Sequence, residues 1–261
     1  MKVPEPHEMI PAERRVRIVE LLERRRAVRV SLLSEDLGVS EMTIRRDLER
    51  LAEEGVLSRT HGGAILKRRI IQEPLYVDNV LAHTAEKQRI AKRAAAMIEP
   101  GDTIFLSSGT TAAEVLRHVD SGLEARVITH NVGAVTQAQG TRLELILLGG
   151  VYNARSNAVE GSLPAELVSR FRASKMFISA DGVDLEEGLT TPSIGMASIE
   201  RAMIRQTRGE VIALADLSKI GVVGDVIICT LDHVHVVIAD DGVDDDVREE
   251  MERLGLRYIV A

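Results

Sequence analysis

A single cysteine, Cys229, stands in the 261 residues. One thiol can form neither an internal disulfide nor a multi-cysteine zinc site, and its place in the largely apolar run 226–231 makes it an expected core residue in a reducing compartment. No uninterrupted apolar stretch approaches the roughly 18 residues that a membrane helix requires. The N-terminus, with Lys2, Pro4, Glu5 and Pro6, lacks the pattern of a secretory leader. The expectation is a cytoplasmic protein with no membrane partner. Internal repeats and low-complexity tracts are missing too, and 45% apolar with 28% charged residues excludes disorder, collagen and coiled coil. The length fits one large domain, or a small one joined to a larger one, with enough chain to bury a core.

The net charge of −7 argues against a polyanion partner only until it is divided along the chain. Residues 1–70 hold 15 Lys and Arg against 12 Asp and Glu, a net +3, and the remainder holds 18 against 28, a net −10. A mildly basic head on an acidic body points to nucleic acid at the head.

In the head, Val16, Ile18, Val19, Leu21 and Leu22 recur at helical spacing over 14–26. Ser31 is the expected cap of a short second helix, with Leu33 and Leu37 four apart and Gly38 as its stop. Ser40 is the expected cap of a third helix running to Glu54, on which Ile44, Leu48 and Leu51 form one apolar stripe. The run 57–61, the pair Gly62-Gly63 and the run 64–66 predict a two-stranded ribbon on a glycine turn. Three short helices and a hairpin make a winged helix-turn-helix domain, expected over residues 1–66. The third helix presents Met42, Thr43, Arg46 and Arg50 opposite its apolar stripe, with Arg45 on the flank. Such a face suits the major groove, with Arg59 and His61 of the wing against the backbone. The alternative is a solvated face whose arginines pair with Glu41, Asp47 and Glu49.

Residues 67–85 lack periodicity, contain Pro74, and are expected as a linker that absorbs rearrangement. From residue 86 to 261, β-rich runs at 103–106, 126–129, 143–148, 176–180, 211–215 and 234–239 alternate with helical stretches such as 86–98 and 196–207. The alternation predicts an α/β domain with a largely parallel sheet.

Within it, Ser107, Ser108, Gly109, Thr110 and Thr111 follow a strand and lead into a helix, so free backbone amides and hydroxyls could cradle a phosphate there. Without a lysine after it, this is no Walker loop. The plainer alternative is a hydroxyl cap on an ordinary crossover helix. Asn131, Gly149, Gly150, Asp181, Gly182 and Lys219 also follow strands, and strand-end loops of an open α/β sheet gather on one edge. Lys219 suits a ligand phosphate, and Asp181 or Asn131 sugar hydroxyls. His233 and His235, two apart in an expected strand and followed by Asp240, Asp241, Asp244, Asp245 and Asp246, form a weaker metal candidate. Solvent-facing histidines before an acidic helix start are the preferred reading, so no metal and no cofactor are expected.

The strings VSEMTIRRDLERL at 39–51 and RTHGG at 59–63, with Glu13-Arg14-Arg15, resemble the helix-turn-helix of the DeoR family of bacterial transcriptional repressors. SGTT at 108–111, LLGG at 147–150, ADGVD at 180–184, GLTTP at 188–192, ERAMI at 200–204 and ADLSK at 215–219 resemble that family's sensor domain. The resemblance implies a non-enzymatic repressor, a homodimer or higher homo-oligomer, with Ser40, Thr43, Arg45, Arg46, Arg59 and His61 on double-stranded operator DNA. It also implies a sensor fold like that of ribose-5-phosphate isomerase, with Ser108, Gly109, Thr110, Thr111, Asp181 and Lys219 around a phosphorylated sugar or related metabolite. Three positions depart from the family pattern: Ser107 replaces an aspartate, Glu200 a lysine, and Ser198 stands near a usual glutamate. Glu200 in particular reverses a charge that could attract phosphate. The rival reading is a sugar-phosphate isomerase with Asp181 as general base.

Overall fold

The computed structural model describes residues 9–261, so the N-terminal residues Lys2, Pro4, Glu5 and Pro6 lie outside the described part. Two compact units emerge, one holding the chain through Arg68 together with Asp244–Glu250, the other Arg69–Val243 with Met251–Ala261.

In the first unit, α1 (Pro11–Arg25), α2 (Val30–Leu37) and α3 (Glu41–Glu53) pack around Ile18, Leu22, Leu33, Ile44, Leu48 and Leu57. Full burial of each such side chain contributes about 1.5 to 3 kcal/mol. The Ser40 hydroxyl accepts from the Thr43 amide and caps α3. Gly38, at φ 66°, ends α2 in the left-handed region that glycine tolerates. Ser31 is not the cap of α2. The cap is Arg29 and the helix starts two residues earlier than expected, with the Val30 side chain buried and its amide donating to the Gly62 carbonyl at 2.8 Å.

The wing has three strands, β1 (Ala27–Arg29), β2 (Leu57–Arg59) and β3 (Gly63–Leu66), in the order β1-β3-β2. The expected Gly62-Gly63 turn is therefore displaced: Gly63 is a strand residue opposite Arg29, and a Cβ there would meet the Val28 carbonyl oxygen at 1.9 Å. Close approach of a neighbouring strand, rather than turn geometry, requires that glycine.

In the second unit, seven parallel strands run in the order β17-β16-β13-β10-β5-β6-β7. They are β5 (Thr103–Leu106), β6 (Arg126–Thr129), β7 (Glu144–Leu147), β10 (Ala173–Ser179), β13 (Thr207–Ala215), β16 (Val236–Ala239) and β17 (Arg257–Val260). Their continuous apolar runs follow from burial on both faces. One face packs on α5 (Thr84–Ala95) and α6 (Thr110–Arg117) through Ile90, Ala94, Val115 and Leu116. The other carries α9 (Ile194–Gln206), itself packed on α8 (Ser162–Val168). Smaller ribbons are formed by β8 (Val151–Asn153) with β9 (Ala158–Glu160), and by β11 (Gly182–Asp184), β12 (Gly188–Thr191) and β15 (Val226–Cys229). Helices α7 (Gly133–Gln137) and α10 (Asp245–Arg253) complete the chain.

The strand order places the site. From β5 the chain moves outward through β6 and β7 on one side, and from β10 through β13, β16 and β17 on the other. The loops after the adjacent strands β5 and β10 therefore leave in opposite directions, and the crevice between them is the topological switch point where open α/β sheets bind ligands.

Residues 67–85, expected as a bare linker, carry structure. β4 (Arg68–Ile70) pairs with β14 (Val222–Gly224), and α4 (Tyr76–Leu81) follows, its first amide donating to the Arg155 carbonyl at 2.7 Å.

Candidate functional site

In the first unit, a buried ion pair fixes the candidate DNA face. Arg14 of α1 donates to Asp47 of α3 at 2.5 Å, with both side chains under a tenth exposed, so α3 is held by a charged contact as well as by its apolar stripe. Met42 and Arg46 then project to solvent from the opposite side. Arg45 reaches Glu41 and the His61 carbonyl, both at 3.4 Å. Arg50 pairs with Glu53 and Glu54, and Arg59 with Glu49 at 2.8 Å. Exposed pairs of this kind contribute about 0 to 1 kcal/mol and exchange readily for a phosphate. Arg46 alone of these four arginines has no hydrogen-bond or ion-pair partner among the described residues. The Ser40 hydroxyl is occupied by the cap and lies 2.9 Å from the Thr43 hydroxyl, which places Ser40 in support of α3.

In the second unit, a cavity opens at the switch point. Its walls include Ser108, Gly109, Thr110 and Thr111 after β5, Ser179 at the end of β10 and Asp181 after it, and Lys219 after β13. The cap of α6 is Gly109 at φ 103°, and no side chain accepts from the first-turn amides. The plainer hydroxyl cap is thus not what forms. That turn, with its dipole, borders a cavity that Lys87 and Lys219 also line.

The loops after β6 and β7 do not line the cavity. Asn131 stands behind it, donating to the carbonyls of Gly109 (2.9 Å) and Ser107 (3.3 Å), so it shapes the loop. His130, fully buried, accepts from the Ser108 amide at 3.2 Å and faces the Val159 carbonyl at 3.1 Å with its other nitrogen. Burial pushes its pKa down to about 4, against the Val159 contact. Ser107 is also fully buried, with its hydroxyl accepting from the Ser179 amide at 2.8 Å and tying β5 to β10. Gly149 and Gly150 lie away from the cavity. A Cβ at Gly150 would meet the Glu160 carbonyl oxygen at 2.7 Å, and one at Gly182 the Val222 carbonyl oxygen at 2.1 Å, so those two glycines serve backbone packing.

Several lining residues are not among the expected site residues: Glu73 and Tyr76 from the supposed linker and Lys87, which lie in no motif, and Thr191 and Glu200, which lie in the GLTTP and ERAMI strings. Lys87 precedes Ile90 and Ala91 by three and four residues, on the same buried face of α5, and a lysine in an apolar stripe is the signal that would have found it. It is 6% exposed and donates to the Asn79 carbonyl, and burial lowers its pKa despite nearby Asp216. Glu73 has nothing comparable, because only tertiary folding brings its segment to the cavity.

Three carboxyl groups face this space. Asp181 accepts from the Thr191 hydroxyl at 2.7 Å; burial raises its pKa, and Thr191 and Lys219 oppose the rise. Glu73 is pushed up to about 7, mainly by burial, then by Asp181 and Glu160, with Arg155 opposing. Glu200 is 1% exposed and raised well above the usual carboxylate range by burial, then by Asp181 and Glu73. Asp184, the other acid of the ADGVD string, is buried at the end of β11, accepting from the Glu186 and Glu187 amides at 3.0 Å.

The metal candidate does not assemble. His233 closes a 3-10 turn, whereas His235 accepts from the Val211 amide at 3.1 Å. Among the described residues no three His, Cys, Asp or Glu side chains stand close enough to hold a metal.

Residues 14–69 match the DeoR-like helix-turn-helix domain, and residues 82–241 match the DeoR C terminal sensor domain. The chain belongs to the DeoR family. The HTH-type transcriptional regulator GlpR of Haloferax volcanii is 33% identical over 96% of this chain and 98% of its own length. GolR of Listeria innocua is 31% identical over 97% and 100%, and the transcriptional repressor AccR of Agrobacterium fabrum 32% over 95% and 97%. A partial likeness to ribose 5-phosphate isomerase A of Methanocaldococcus jannaschii, at 21% identity and a TM-score of 0.40, covers 53% of this chain and 55% of that one. Full-length matches to regulators make this chain a DeoR-type transcriptional regulator, not an isomerase. No helix among the described residues is long and apolar enough to cross a membrane.

Proposed function

We propose that this regulator is a cytoplasmic repressor whose first unit binds operator DNA and whose switch-point cavity binds a phosphorylated small metabolite. The observation that carries the effector reading is the Gly109 cap: an α6 start with no side-chain acceptor, in a cavity shared with two lysines. A phosphate there would accept from the amides of the loop and from the hydroxyls of Ser108, Thr110 and Thr111, with Lys87 and Lys219 balancing its charge. On the DNA side, Thr43, Arg45, Arg46 and Arg50 of α3 meet the major groove, and Arg59 and His61 of the wing meet phosphates. The protein acts as a homodimer or higher homo-oligomer, since a symmetric assembly reads two half-sites. Effector binding shifts operator affinity only by its differential affinity for the DNA-bound and free arrangements.

Thermal unfolding against phosphorylated sugars, sugar alcohols and their unphosphorylated counterparts tests the cavity, because a ligand of the folded state raises the melting temperature. A rise with phosphorylated members alone is expected. A rise with unphosphorylated members alone would refute the phosphate assignment.

A further inference from the structure

We infer that the effector carries an amino group as well as its phosphate: the cavity is built for a phosphorylated amino sugar or amino polyol, its ammonium lodged among Glu200, Asp181 and Glu73. The inference rests on the phosphate reading above and concerns the opposite end of the same ligand. Glu200 is 1% exposed, forms part of the cavity wall, and neither of its carboxylate oxygens has a hydrogen-bond partner among the described residues. A buried acceptor left unpaired is costly, more so when charged. Three donors of the surrounding segments are committed elsewhere, and Lys219 is the cation assigned to the phosphate. The Thr191 hydroxyl goes to Asp181, Lys87 donates to the Asn79 carbonyl, and the guanidinium of Arg201, the next residue on α9, donates to the carbonyls of Ile227 and Ile228.

Charge balance points the same way. Three carboxyl groups line the cavity, and burial raises the pKa of each, so they ionise fully only when a positive charge joins them; the two lysines are already matched to the phosphate. A metal ion does not supply that charge, because the acids are not disposed to hold one. An ammonium on the ligand does, and its three N–H donors match the unpaired oxygens of Glu200. A hydroxyl in the same place donates once and compensates no charge. Glu200 therefore gives a physical role to the departure from the family's lysine: the position selects for a cation on the ligand instead of adding one to the protein.

The test is titration calorimetry of the full-length protein with matched pairs: glucose 6-phosphate against glucosamine 6-phosphate, galactose 6-phosphate against galactosamine 6-phosphate, and fructose 6-phosphate against 1-amino-1-deoxyfructose 6-phosphate. The expected result is an amino member binding at least about tenfold more tightly than its hydroxyl partner, a difference of about 1.4 kcal/mol. Glu200→Gln should erase that preference. N-Acetylglucosamine 6-phosphate, which removes the ligand's charge without altering the protein, should lose it as well, and this arm stands even if the variant does not fold. Equal affinity within every pair, or a preference that survives Glu200→Gln, overturns the inference and leaves the phosphate reading intact. If none of the six compounds nor inorganic phosphate binds, the phosphate reading fails and this inference with it.

Discussion

Arg14 and Asp47 meet at 2.5 Å inside the first unit, with Arg15 approaching the same carboxylate at 3.6 Å, and so join α1 to α3. Removing one partner of a buried pair leaves the other charge uncompensated, at a cost of about 3 to 5 kcal/mol. Asp47→Ala should therefore unfold the helix-turn-helix at lower urea and abolish DNA binding, while the sensor unit keeps its own transition. Replacing both residues with apolar ones of similar size, Arg14→Met with Asp47→Leu, should recover most of the loss. An Asp47→Ala protein of unchanged urea midpoint would show that the contact does not hold α3.

Arg46 and Arg50 share the solvent face of α3 but differ in their surroundings, since Arg50 is tethered to Glu53 and Glu54 and Arg46 is unpartnered among the described residues. Arg46→Ala should weaken binding to DNA selected by the protein from a random-sequence pool by about 1 to 3 kcal/mol and relax sequence preference. Arg50→Ala should act mainly on the salt dependence, lowering the slope by about one as a phosphate contact does. Fluorescence anisotropy at several salt concentrations separates the two. Equal losses on selected and random DNA for Arg46→Ala would make it a phosphate contact.

Much of this arrangement is legible in the sequence because local physics sets it. The stripe Ile44, Leu48 and Leu51 and the Ser40 cap define α3, and the apolar runs ending at Leu106, Thr129 and Ala215 coincide with strand ends. Since a parallel sheet exposes its strand-end loops on one edge, Ser108, Thr111, Asp181 and Lys219 are found together. What escapes is non-local. Strand β1 is too short to show a period and exists by pairing with β3; Glu73 and Tyr76 reach the cavity only because their segment folds back; and Asn131 misses it because β6 lies beyond β5, away from β10.

Gly109 combines two constraints. Its φ of 103° lies in the region that L side chains avoid, and a Cβ would stand 3.2 Å from the Ser179 Cβ. Gly109→Ala should cost about 1 to 3 kcal/mol in backbone strain alone. The same change should turn the first-turn amides of α6 away from the cavity, so the thermal shift by phosphorylated compounds should vanish even where the variant is still folded. Gly38, equally left-handed at φ 66° but open to solvent around its Cβ position, supplies the comparison: Gly38→Ala should lower stability and leave that shift in place. Retention of the shift in Gly109→Ala would move the phosphate away from α6.

His130 couples the loop after β5 to pH. In the fold its ring is neutral and accepts from the Ser108 amide, with its pKa held down to about 4 by burial, whereas in the unfolded chain it titrates at its ordinary value of 6.5. Between these values the unfolded state binds a proton that the folded state refuses, so stability falls as pH is lowered through this window. The full contribution amounts to about 3 kcal/mol. Buried Glu200 and Glu73, whose pKa values are raised, act in the opposite direction: they cost stability at neutral pH and recover it on acidification. The histidine must therefore be isolated by difference. The stability gap between the protein and His130→Gln, from urea unfolding at each pH, should be constant above about pH 7 and shrink by about 3 kcal/mol towards pH 4. A gap that stays flat over that range would mean that His130 takes up its proton in the fold as readily as in the unfolded chain, and the Ser108 amide would then lose its acceptor below about pH 6.5.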